Sequence, residues 1–472
     1  MNRAGGTVKL LLAVAAAFAA VATPSAALRQ PFGMCSWETK MWAQDKMLEA
    51  GINRYRDVVL WVHVEPNDVT ATSTFTYNWW TPYCGASIGA RTGAKISYMI
   101  TDPPGWVNAY RVSNPTLFAQ KCAEFVADML KYVDSIAPGT IENIDLGNET
   151  HVWGDAYDRD LSWYYAETLK AVYSVAKAHN PNIFVTACGV FTGNCPEYII
   201  DELYQLGCKG YMDRVSMHYY VHNFGAQRDP AYTGYWHFPT VISYMKYLTD
   251  QNNDPNTMVS VTEFGWRREL QSPYLTEQQK ADYFRYVLDM SRMSGFSDIP
   301  FWYCSQSGGY PRLANPADCH SSAVIYFSTW NCAGRPTGIP GDVALTGVAI
   351  DTTTYGDDLW EGYRYAFLTP AYDMVKQYGL QYPQWTRADV STLPVIPAAT
   401  NPITVVNGGF ENGNTTGWTG ATLDSTQKKS GSYSGRHDGG GTMETQAYTV
   451  EPNRLYEVVA WIKVSANNPT NY

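Results

Sequence analysis

Between about residues 31 and 385, short apolar runs rich in β-branched side chains alternate with longer stretches of helical periodicity. The runs read as strands at Gly33–Trp37, Ile52–Val59, Ala94–Ile100, Ile141–Gly147, Asn182–Val190, Arg214–Tyr220, Met258–Glu263 and Ile299–Cys304. Among the longer stretches, Thr116–Ser135, Ser162–His179 and Thr276–Ser294 read as helices. In the first of them Leu117, Phe118, Cys122, Phe125, Val126 and Met129 recur near a 3.6-residue period. Strands that alternate with helices build parallel βαβ units. Eight such units fit an α/β fold, the closed (β/α)8 barrel, which takes about 250 residues. A doubly wound sheet would carry a G-x-G-x-x-G turn after its first strand, and no strand here is followed by one.

A barrel puts its chemistry at the C-terminal ends of its strands. The fourth strand ends in Asp145-Leu146-Gly147-Asn148-Glu149-Thr150, and the seventh in Thr262-Glu263-Phe264-Gly265. Each therefore finishes an apolar run with a carboxylate, where a charge is costly without a purpose. In a closed barrel these two ends face one another across the mouth. Two facing carboxylates are the minimum machinery for cleaving a glycosidic bond. One protonates the leaving oxygen; the other attacks the anomeric carbon or activates water. Composition agrees with such a ligand. Aromatics make up 14% of the chain, and the formal net charge is −10. Flat rings without positive charge suit neutral sugars, and an acidic surface is a poor match for nucleic acid.

These residues resemble clan A of the glycoside hydrolases, the retaining (β/α)8 enzymes that include families 5 and 39, over most of residues 31–385. Asn148-Glu149 is similar to the clan's strand-four motif, which implies Glu149 as general acid/base. Glu263 in Thr-Glu-Phe-Gly is similar to the strand-seven nucleophile. Gly51-Ile52-Asn53-Arg54-Tyr55-Arg56, followed by Trp61, resembles the family 5 strand-two motif, whose arginine, here Arg56, supports the nucleophile. His218-Tyr219-Tyr220 resembles the clan's His-x-Tyr. Residues two apart share a face of a strand, so His218 and Tyr220 both point inward. Phe301-Trp302-Tyr303 ends strand eight, where the clan places a tryptophan platform, which implies that Trp302 stacks under the sugar. Asn148 would hold a sugar 2-hydroxyl. Arg54 reads as a packing or salt-bridge residue. Trp153, Trp163 and Trp266 read equally as subsites or core. Thr150 stands where family 5 usually has proline. The implied activity is hydrolysis of a β-linked polysaccharide or oligosaccharide by double displacement, with no metal or cofactor. The alternative is a glycan-binding protein that keeps the barrel without turnover.

The ends of the chain read differently. Arg3 and Lys9, the apolar run Leu10–Val21 and the small residues up to Ala27 form a signal-peptide pattern over residues 1–27. The expectation is export, secreted or periplasmic, with no membrane span. Residues 28–388 then form the barrel domain. Nine cysteines suit an exported chain, and structural disulfides with one leftover thiol are expected. Cys188 and Cys195 are close enough to staple a loop; Cys304, Cys319 and Cys332 cluster; no Cys-x-x-Cys pair suggests zinc. Residues 389–400, with Pro394 and Pro397, read as a linker. Beyond it, Ile403–Val406, Ala447–Val450 and Leu455–Val464 read as short strands of an all-β unit. Asn407-Gly408-Gly409-Phe410-Glu411, Gly417-Trp418 and Ser430–Ser434 resemble the first half of a β-sandwich carbohydrate-binding module of the family 4, 9 or 16 type. A full sandwich takes about 100 residues; 72 remain from Asn401 to Tyr472, so a partial module over 401–472 is expected.

Overall fold

The computed structural model describes residues 33–36, 41–52, 54–68, 77–148, 159–191, 196–221, 229–231, 237–266, 275–298, 300–303, 306–308, 325–328, 343, 345–351, 353, 364–381, 403–427, 430–437 and 443–448. The signal-peptide region, the 389–400 stretch and the strand expected at Leu455–Val464 lie outside the described residues. The chain divides into two compact units, one up to Leu393 and one from Pro394.

In the first unit eight parallel strands close into a barrel in chain order. They are β1 (Gly33–Ser36), β2 (Arg54–Leu60), β3 (Lys95–Thr101), β4 (Ile141–Leu146), β5 (Phe184–Phe191), β6 (Arg214–Tyr219), β7 (Met258–Phe264) and β8 (Phe301–Trp302). The major helices that follow them in turn are α1 (Met41–Glu49), α2 (Trp80–Thr92), α3 (Pro115–Ile136), α4 (Arg159–His179), α5 (Pro196–Gln205), α6 (Phe238–Gln251), α7 (Glu277–Ser294) and α8 (Pro370–Gln381). The architecture is a (β/α)8 TIM barrel. Helix starts are capped from the sequence. Asn114 accepts the Leu117 amide ahead of Pro115, and Thr276 and Gln279 form a reciprocal capping box on α7.

The barrel strands are buried on both faces, which explains their near-continuous apolar runs. Tyr55, Tyr98, Ile144, Met217 and Phe264 belong to the layer between sheet and helices. The alternate positions turn to the barrel axis, and several of those are polar. Asn143 Nδ2 donates to Ser97 Oγ (2.7 Å), and Thr186 Oγ1 donates to Asn143 Oδ1 (2.7 Å). Within the 305–362 stretch, β9 (Gln306–Gly308), β10 (Ile325–Ser328) and β11 (Thr346–Ala349) join β12 (Tyr365–Leu368) in a separate four-stranded sheet. Among the described residues no helix is long and apolar enough to cross a membrane.

The cysteine expectation needs correction. Cys35, Cys84, Cys122 and Cys208 are thiols, so more than one is left over. Cys35, Cys122 and Cys208 are buried and act as small apolar side chains. Burial pushes the Cys122 thiol up to about 12. The placements of the Cys188 side chain and of Cys195, Cys304, Cys319 and Cys332 lie outside the described residues.

Among the described residues the second unit holds two antiparallel pairs, Trp418–Thr419 with Glu444–Thr445 and Thr422–Asp424 with Ser434–Arg436. Ile403–Val406 is not a strand. Its end enters a turn, where the Val406 amide donates to Tyr448 Oη and the Val406 carbonyl accepts from Trp418 Nε1. Side chains thus take the backbone groups that a ladder would use. Ala447–Tyr448 is likewise irregular. Phe410 is buried against Trp418 with ring centroids 5.1 Å apart, and Glu411 accepts the amides of Ser432 and Tyr433.

Candidate active site

Strand β7 carries Glu263 to the barrel mouth through an irregularity in its pairing. Met217 pairs with Val261, but His218 pairs with Glu263, so Thr262 is the extra residue of a bulge. Without it Thr262 would share His218's inward face and Glu263 would turn outward. A bulge re-aims a side chain in this way. Glu263 thus points into the barrel, 8% exposed, while Phe264 packs outward on Phe284 and Trp302.

Both carboxylate oxygens of Glu263 are engaged. Arg56 Nη1 donates to Oε1 at 2.6 Å, and Tyr220 Oη donates to Oε2 at 2.7 Å. His218 Nδ1 lies 3.5 Å from Oε2, longer than a well-formed hydrogen bond. Burial alone would raise the Glu263 carboxyl. The charges of His218 and Arg56 and the hydrogen bonds from Tyr220 and Arg56 outweigh it and hold the group below the usual carboxylate range. Tyr220 is shifted the other way. Burial, then the adjacent Glu263 charge, pushes its phenol well above the ordinary value, so it remains a donor.

Arg56 reaches a second carboxylate. Its Nε donates to Asp145 Oδ2 at 2.6 Å, and Nη2 lies 2.8 Å from Met99 Sδ. Asp145 is fully buried on the inward face of β4, two positions beyond Asn143. Burial raises its carboxyl, with the Arg56 charge and hydrogen bond opposing. Sequence reasoning noted Asp145 only as the start of a motif. The available signal was a charge inside an otherwise apolar strand, at even spacing from Asn143.

Strand β4 ends at Gly147, whose φ of +85° suits glycine and whose amide donates to the Ile100 carbonyl (2.9 Å). The turn hands the chain to Asn148, whose Oδ1 is buried with no hydrogen-bond partner among the described residues. Glu149 lies outside the described residues, as does Trp153; the Trp163 side chain is also outside them.

Trp302 is a correction. It is fully buried on the outward face of β8, stacked on Phe284 with ring centroids 3.9 Å apart. It is core, not a platform. The register turns its neighbours inward instead. Phe301 sits opposite Gly33, where a β-carbon would lie 2.5 Å from the ring, and packs with Cys35. Tyr303, half-buried, meets Tyr220 edge-on at 6.4 Å. Trp266 is fully buried as well, against Tyr219 and Tyr283. Arg54 pairs with Glu142 at 2.9 Å, away from Glu263. The structure thus brings Arg56, His218, Tyr220 and Glu263 together and sends Trp302 elsewhere.

No protein-family profile matches the sequence, and no curated protein does. Solved structures do match. A family 39 glycoside hydrolase from the gut symbiont Bacteroides cellulosilyticus is similar at 19% identity and a TM-score of 0.50, over 74% of this chain and 63% of that one. The present chain therefore spans less than two thirds of that protein's length. The likeness is one of fold, the (β/α)8 barrel. A GH5_18 protein of Bifidobacterium longum subsp. infantis matches at 14% identity and a TM-score of 0.49, over 75% of this chain and 79% of that one. An exo-β-1,4-mannosidase from an Opitutaceae bacterium matches at 14% and 0.48, over 78% and 61%.

Proposed function

We propose that this chain is a secreted retaining glycoside hydrolase acting on β-linked polysaccharide or oligosaccharide. The observation that carries the reading is Glu263: a carboxylate turned into the catalytic end of a barrel and held ionised by Arg56 and Tyr220 at hydrogen-bond distance. An ionised, aimed carboxylate is what nucleophilic attack on an anomeric carbon needs.

In the proposed reaction Glu263 attacks that carbon as the bond to the leaving oxygen breaks, and Glu149 protonates that oxygen. Glu149 then takes a proton from water, whose oxygen attacks the anomeric carbon and releases Glu263. Asn148, with its buried amide oxygen open, would accept the sugar 2-hydroxyl. Tyr303 takes the role read for Trp302, as the aromatic wall beside Tyr220. The residues from Pro394 on would bind carbohydrate, and residues 1–27 would direct export.

Product analysis on a panel of β-glucans, xylan, mannan and galactan tests the activity. Released sugars are expected from at least one member, with the β-anomer formed first by proton NMR. Binding without any release from every member would favour the glycan-binding alternative instead. An exported protein beginning at Leu28 would support the signal-peptide reading; one beginning at Met1 would reject it. Weaker retention on insoluble glucan by a chain ending at Leu393 would support binding by the second unit; equal retention would reject it.

A further inference from the structure

We propose that Asp145 is a positioning residue that sets the reactivity of Glu263 through the guanidinium they share. The inference rests on Glu263 as nucleophile and goes beyond it. One cation, Arg56, serves two carboxylates, through Nε to Asp145 Oδ2 and Nη1 to Glu263 Oε1, each at 2.6 Å. A guanidinium is a rigid plane, so fixing Nε fixes the direction of Nη1. Among the described residues Nη2 meets the weakly accepting sulfur of Met99 and no other acceptor. Asp145 is thus the strong contact that locks the fork's tilt, and Glu263 receives what that tilt allows.

Charge is shared along with geometry. The groups facing Asp145 are Arg56 from β2, His218 from β6 and Glu263 from β7. Cys35 of β1 also faces Arg56. With Asp145 ionised, Arg56's charge is divided and Glu263 keeps its basicity. With position 145 neutral, the whole charge falls on Glu263, which becomes a weaker acceptor of protons and a weaker nucleophile. Asp145 Oδ1 is buried with no hydrogen-bond partner among the described residues, so its coupling to the site runs through Oδ2 and Arg56. Burial of such a carboxylate is costly without a paired cation, and in this place the cation is the one that holds the nucleophile.

Two measurements test this. The first is the pH profile of kcat/KM in Asp145→Asn, which keeps an oxygen acceptor for Nε and removes the charge. The acid limb should move to lower pH by about one unit, and kcat/KM at its optimum should fall about tenfold. Asp145→Ala, which also frees the tilt, should fall about a hundredfold. An Asp145→Asn profile superposable on wild type, with kcat/KM within twofold, would reduce Asp145 to a packing group and overturn the proposal. The second needs no substrate and no change at 145. The Asp145 carboxyl is titrated by carbon-13 NMR in wild type and in Glu263→Gln. If Arg56 is shared, removing the Glu263 charge lowers the Asp145 titration midpoint by about a unit or more; an unmoved midpoint overturns the coupling. This arm stands even if no glycan is hydrolysed, so loss of the glycosidase reading and loss of the Asp145 role give different results.

Discussion

The lower end and the upper end of the barrel both bury arginine–carboxylate pairs, but they balance them differently. At the lower end Arg54, the first residue of β2, binds Glu142, and Arg214, the first residue of β6, binds Asp298 with its guanidinium 4.0 Å over the Phe184 ring. These pairs sit at the foot of the strands. Two residues further up β2, Arg56 is shared by Asp145 and Glu263, with His218 and Tyr220 crowding the second. Pairs at the foot of the strands hold a fold in register. A shared cation leaves one carboxylate incompletely neutralised, aimed and reactive. The sharing of Arg56 by two carboxylates marks the candidate site; burial alone does not, because both ends are buried.

The largest expected effect falls on the upper end alone. Glu263→Ala should lower kcat/KM by about a thousandfold or more, measured on whichever panel glycan is cleaved, while Arg56 keeps Asp145 and the fold persists. A loss under about tenfold would remove Glu263 from the chemistry. The lower end should answer in the opposite way. Arg214→Met removes one partner of a buried ion pair and the guanidinium over Phe184, and should cost about 3–5 kcal/mol in urea unfolding, with kcat/KM of the folded protein within about twofold of wild type. If activity fell as steeply as stability, the division between the two ends would not hold.

The aromatic pair on β8 sharpens the contrast. Trp302→Ala opens a cavity beside Phe284 and should cost about 3–5 kcal/mol of stability. Tyr303→Ala should leave the melting temperature nearly unchanged and raise KM about tenfold. The reverse pattern would mean that Trp302, not Tyr303, meets the ligand. The smallest effect belongs to Tyr220→Phe. Its hydroxyl helps hold the Glu263 carboxyl down, so its removal raises that group and moves the acid limb of kcat/KM to higher pH, with kcat about tenfold lower. A limb that moved to lower pH would contradict the assigned hydrogen bond. The same sign governs stability. A carboxyl depressed in the fold contributes stability above its unfolded value of about 4.5, and that contribution is lost as pH falls through the depressed value.

Much of the barrel was readable because parallel strands buried on both faces write long apolar runs, and all eight appear within a few residues of the expected bounds. Facing was harder to read. Phe301-Trp302-Tyr303 is aromatic throughout, so alternation carries no polar signal, and β8 is only two residues long. The bulge at Thr262 belongs to the register between two strands and cannot be seen in either one alone. Asp145 was visible as a charge in a strand, but its meaning depends on Arg56, 89 positions away in sequence. The Ile403–Val406 run has β-branched composition, yet Tyr448 and Trp418 take the Val406 amide and carbonyl at its end, a tertiary choice that local propensity does not encode.

The most direct measurement of the central claim replaces Glu263 by glycine and supplies azide with an activated aryl β-glycoside of the cleaved sugar. Azide entering the space beside Arg56 and Tyr220 attacks the anomeric carbon from the face opposite the leaving group. The account predicts restored aryl release and an α-glycosyl azide as the product. A β-glycosyl azide, or no rescue from a variant that still binds the glycoside, would contradict Glu263 as the nucleophile.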